Sequence, residues 1–99
     1  RKGFLKRHEE TMVCEIRELT EQGLQIVTGM SLSVGETPAL EVQLVDDTVI
    51  HCVLLVTHAQ DRRIGARIVQ ISPEHHRTLI RFLELMRTED RTGPGSHQE

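Results

Sequence analysis

Tryptophan and tyrosine are absent, and Phe4 and Phe82 are the only phenylalanines. Proteins that hold single-stranded nucleic acid stack bases on several exposed rings, and two phenylalanines do not supply such a platform. Basic charge is also short. Twelve Lys and Arg stand against 15 Asp and Glu, a formal net charge of −3, which argues against general nucleic-acid binding. No long apolar run exists: the longest is Cys52 to Val56, far below the roughly 20 residues of a membrane-crossing helix. No apolar segment follows the charged N-terminus as a signal peptide requires. The expectation is a cytoplasmic protein without membrane insertion. Cysteine is limited to Cys14 and Cys52, which form neither a disulfide framework nor a CxxC site. Both fall inside apolar alternation and read as buried, inert thiols. The 99 residues suffice for one domain with one modest core. The chain starts at Arg1 rather than Met, as a piece of a longer protein would.

What the chain does have is period-two alternation, the mark of strands. A short first strand is expected around residues 3–6, with His8, Glu9 and Glu10 as its turn. Met12, Cys14 and Ile16 alternate with Val13, Glu15 and Arg17. Residues 18–23 read as a tight turn in which Gly23 supplies a positive φ, and Leu24, Ile26 and Val27 resume the strand. Residues 29–38 form a loop with two glycines and a proline. Leu40, Val42 and Leu44 mark another strand, Asp46-Asp47 a hairpin turn, and residues 48–58 the longest strand, apolar on both faces near its middle. After the polar turn 60–63 the last strand covers residues 64–71, where Gly65 suggests a bulge or a close approach. Ser72, Pro73 and Glu74 then open a helix as N-cap, first helical residue and dipole partner. Leu79, Leu83 and Met86 place its apolar stripe on the sheet, with Phe82 at the margin. The helix is expected to end near Arg87. These signals predict a mainly β fold: an antiparallel six-stranded β-barrel with one C-terminal α-helix, a domain over residues 1–87 and a disordered tail over residues 88–99.

Candidate chemistry is sparse. His75 and His76 are adjacent, so they project about 100° apart on a helix and do not make a metal pair. His51 and His58 are seven apart and face opposite sides of a regular strand. No metal site is expected. Thr20 lies near Glu18 and Glu21 without a nucleophile elbow or a phosphate loop around it, and the acidic pairs fall in turns. No catalytic residue is assigned, and the chain reads as a non-enzyme.

The segment CEIRELTEQGLQIV, residues 14–27, stands apart: a strand ends at a polar residue, a hydroxyl residue and a glycine follow at fixed spacing, and a strand restarts. It resembles the PilZ domain, a bacterial β-barrel with a C-terminal helix that binds cyclic di-GMP. The PilZ signature Asp/Asn-x-Ser-x-x-Gly is matched here by Glu18-x-Thr20-x-x-Gly23. Ser33-Val34-Gly35 falls where a loop glycine precedes the third strand. Ile64-Gly65-Ala66-Arg67-Ile68 is similar to the family's hydrophobic-Gly-x-x-Phe strand, and Ser72-Pro73-Glu74 opens the terminal helix. The similarity covers about residues 3–87.

The resemblance implies a regulatory domain of a bacterial cyclic di-GMP pathway, with cyclic di-GMP as ligand and a protein partner or adjoining domain. Glu18, Thr20 and Gly23 are the candidate ligand turn. The family's second motif, Arg-x-x-x-Arg, would fall upstream of Arg1. Lys2 and Lys6 have its spacing and are candidate phosphate contacts, but they offer point charges instead of planar forks. Glu18 carries its carboxylate one methylene further out than Asp, and Thr20 adds a methyl to Ser. These departures predict weak or no nucleotide binding and action through protein–protein contacts. The alternative is a structural dimerisation or interaction module without a nucleotide. Arg62, Arg63 and Arg67 are weighed as an anion-attracting patch with Lys2 and Lys6, and scattered solvated charges are the simpler account.

Overall fold

The computed structural model describes residues 1–91. Its elements are β1 (Lys2–Arg7), β2 (Glu10–Leu19), β3 (Gly23–Thr28), β4 (Ala39–Gln43), β5 (Val49–Gln60), β6 (Arg63–Ile71) and α1 (Pro73–Arg91). The strands close into an antiparallel barrel in the order β1-β2-β3-β6-β5-β4, with β4 returning to β1. The expected six strands and terminal helix are all present. The helix runs past its expected end at Arg87 to Arg91, so the tail expected from residue 88 overlaps its last turn. Residues 92–99 lie outside the described residues.

Alternation explains the closure. Leu5, Cys14, Ile16, Leu24, Ile26, Leu40, Val42, Ile50, Leu54, Val56 and Ile64 all turn inward and are buried, while the intervening positions face outward. The tight hairpins are made by two-residue loops. Arg7 pairs with Glu10 around His8 and Glu9, and Gln60 with Arg63 around Asp61 and Arg62. His8 and Asp61 take φ values of 56° and 57°, as the first loop residue of a primed hairpin turn does.

The two mouths of the barrel are closed differently. β3 and β4 stand on opposite sides of the ring, so the loop over residues 29–38 has to cross one mouth. It seats Met30 and Leu32 in the core and runs along β5: Gly35 N–H donates to Val56 O at 2.8 Å, and Leu54 N–H to Pro38 O at 3.0 Å. α1 closes the other mouth with Leu79 and Phe82, 0% and 6% exposed. Phe82, expected at the margin, is therefore part of the plug. Leu83 is only partly buried, and Met86 is 39% exposed instead of buried. The stripe is continuous along the helix, but the mouth is narrower than the stripe is long.

Two further expectations change. His51 and His58 both face outward, because the β5–β6 register slips between Val56 and His58. That bulge reverses the alternation, and it lies opposite Gly65. Gly23, expected to supply a positive φ, is not among the positive-φ glycines. It is needed for space: a Cβ there would lie 2.5 Å from Ala66 O, where β3 closes on β6.

Candidate functional site

Thr20 follows directly on the end of β2 and builds the turn to β3. Its N–H donates to Gly23 O at 2.8 Å, and its hydroxyl donates to the same oxygen at 3.0 Å. The hydroxyl oxygen accepts from Gly23 N–H at 3.1 Å and Gln22 N–H at 3.3 Å. One O–H donor and two lone pairs are the whole capacity of a hydroxyl, so Thr20 is fully engaged within its own turn. Glu18 is exposed and sits just past a register slip between Ile16 and Glu18. Gln22 O accepts from Ile68 N–H at 2.8 Å, which ties the turn to β6.

An open trough of about 850 Å³ runs from this turn along the outside of β3, β5 and β6. Glu18, Thr20 and Gly23 line one end, and Arg63 and Gln60 the other. Gly65 bares the floor between Gln25 and His58, its paired neighbours on either side. Arg17 and Arg63 bring positive charge to a surface whose acidic member is Glu18.

The structure brings Glu18, Thr20 and Gly23 together on this trough, and leaves Lys2 and Lys6 outside it on β1. Lys2 Nζ lies over the Phe4 ring at 5.2 Å. Lys6 lies towards the opposite mouth, paired with Thr11 and Ala39. β2 and β3 separate these lysines from Arg63 and Arg67 on β6, so the five basic residues do not form one patch. Arg17 was not singled out in the sequence, His58 was weighed only as a metal ligand, and Arg63 only in a patch with Lys2 and Lys6. Arg17 precedes the motif directly and could have been found there. His58 and Arg63 arrive through the bulge, which Gly65 signalled, and through the β3–β6 pairing, which has no local signal.

Arg1 lies beside the same end of β2. Ile16 N–H donates to Arg1 O at 2.6 Å, and the Arg1 guanidinium sits 4.5 Å from the centre of the Phe82 ring. Burial pushes both thiols up, Cys14 and Cys52 each to about 11, so they are protonated at neutral pH and poor nucleophiles. Among the described residues no group of three or more His, Cys, Asp or Glu is placed to hold a metal ion.

A family model described as the PilZ domain matches residues 2–85. Among solved structures the chain is similar to an uncharacterised Legionella protein, with 17% identity, a TM-score of 0.62, and coverage of 91% of this chain and 90% of that one. That likeness concerns the fold. No curated protein matches the chain.

Proposed function

The chain belongs to the PilZ domain family, and from that premise we propose that it is a cytoplasmic regulatory domain that holds cyclic di-GMP weakly or not at all and acts through protein contacts. The family supports a regulatory, cyclic di-GMP-related role in bacteria. The observation that carries the finer reading is the saturation of Thr20. Its hydroxyl has no donor or lone pair left for a ligand unless the turn that positions it opens. Glu18, an acid on the rim of the trough, repels phosphate where it is ionised. Within residues 1–99, Arg17 and Arg63 supply only single forks at opposite parts of the trough.

For residues 1–99 taken alone, going without the two charge-assisted hydrogen bonds of an Arg-x-x-x-Arg pair corresponds to about 3–6 kcal/mol, two to four orders of magnitude in affinity. Calorimetry with cyclic di-GMP at physiological salt is expected to return a dissociation constant above about 10 µM. A sub-micromolar constant that disappears in Thr20→Ala or Glu18→Ala overturns the reading and makes this chain a receptor. The second reading, an interaction module without any nucleotide, draws on α1, where Leu85 is 56% exposed and Met86 39%. Complete absence of binding at millimolar nucleotide favours it.

A further inference from the structure

Two adjacent histidines open α1, and they grip different parts of the barrel. β6 ends at Ile71, paired with Cys52, so β5 has no strand partner on that side at His51. The backbone N–H of His51 donates instead to His75 Nδ1 at 3.0 Å. The His51 and His75 rings stack with centroids 5.5 Å apart. The helix cap holds His75 in place, since its N–H donates to Ser72 Oγ at 3.1 Å. His76 turns the other way, with Nε2 3.5 Å from Glu21 Oε2 on the β2–β3 turn.

We propose that His75 and His76 form a proton-sensitive clasp that shifts the hold of α1 from the β5 edge towards the β2–β3 turn as pH falls. An acceptor at Nδ1 must carry a lone pair, so the docked His75 is neutral with its proton on Nε2. An imidazolium carries a proton on both nitrogens, and its Nδ1–H would face the His51 N–H, donor against donor. Docking of the first turn on β5 is therefore linked to proton release from His75. His76 answers in the opposite sense, because a charged ring is drawn to Glu21. The other groups around His75 set the background. Glu74, His76 and Arg77 flank it on α1, and its partner His51 on β5 has Nδ1 3.9 Å from Glu41 Oε1 on β4. Leu79 and Phe82 keep the helix body seated throughout, so the movement is confined to its first turn. That turn touches both β5 and the Thr20–Gly23 turn, so protons and anything bound at the trough act on the same end of the helix. The clasp is independent of whether cyclic di-GMP binds.

The test is NMR on the whole chain. Long-range 1H–15N correlations near pH 8 should show His75 with its proton on Nε2. The His51 amide should lose at least about tenfold of its protection, corrected for intrinsic exchange, as pH falls through the histidine range. The Phe4 amide, on β1, should not change. His75→Asn places a carbonyl oxygen near the Nδ1 position without a titrating ring, so it should keep protection of the His51 amide and remove its pH dependence. A His75 proton on Nδ1, or a His51 amide indifferent to His75 titration, overturns the clasp. So does a pH dependence that survives in His75→Asn. The wild-type tautomer, read together with the pH dependence of the wild-type His51 amide, decides the matter even if the variant fails to fold.

Discussion

The two mouths of the barrel use opposite means to reach the same closure. At the loop mouth, Arg7 acts as a staple: its guanidinium donates to Ser31 O at 2.6 Å, Glu36 Oε1 at 3.0 Å and Glu10 Oε1 at 3.0 Å. Glu36 Oε2 in turn accepts from Ser33 N–H at 2.8 Å. Fixed charges hold β1, the β1–β2 hairpin and the crossing loop in one geometry. At the helix mouth an apolar plug does the holding, and His75 and His76 make polar contacts to β5 and the β2–β3 turn. The family's signature turn lies at the helix mouth. The helix closure thus adjoins the signature turn, while the far end of the trough, at Gln60 and Arg63, reaches the rim on the loop side.

The comparison breaks most easily at the plug. Leu79→Ala is expected to lower unfolding stability by about 2–5 kcal/mol, the range for a buried leucine truncated in a core. Met86→Ala should change it by less than about 0.5 kcal/mol, since that side chain lies past the mouth. Urea denaturation of both checks this, and equal effects would mean that the helix packs through its whole stripe. Gly23→Ala comes next. A Cβ 2.5 Å from Ala66 O forces β3 away from β6, at a cost of about 1–3 kcal/mol typical of overpacking. If Gly23→Ala melts like the wild type, the close approach beneath the signature turn is not a constraint.

The helix stripe, the N-cap at Ser72 and the six strands were legible because each is written in local spacing. The turn at Glu18, Thr20 and Gly23 was legible as a motif, but its internal bonding was not. Gly23 reads as a turn glycine in sequence, and only the β3–β6 pairing shows that it makes room for a carbonyl. Met86 continues the stripe of Leu79 and Phe82, and where burial stops depends on the width of a mouth built from distant strands. His51 and His58 read as facing opposite sides because the bulge that Gly65 signalled on β6 was not carried across to its partner strand β5. Arg7 gave no signal at all: Ser31 and Glu36, its loop partners, come to it across the mouth.

The smallest expected effect separates the two mouths by pH. The Ser33 N–H, and after it the Arg7 guanidinium, hold the Glu36 carboxyl below the usual carboxylate range, and Glu36 in return raises Arg7. A carboxyl lowered on folding contributes stability that is fully present above its unfolded value, about 4.3, and is lost as pH falls through the lower folded value. The staple should therefore hold through the histidine range and weaken only in acid below about pH 4.3. Amide exchange reads this directly at Gly35 and Leu54, whose N–H groups tie the loop to β5. Corrected for intrinsic rates, their protection is expected to stay flat from pH 8 to about 5 and to fall below about 4.3. Glu36→Gln should remove most of that acid step, because the amide cannot gain a proton there. Arg7→Met should shrink it less, since the Ser33 N–H is the larger cause and remains. Loop protection that falls together with that of His51, already near neutral pH, would show that the two closures open as one unit.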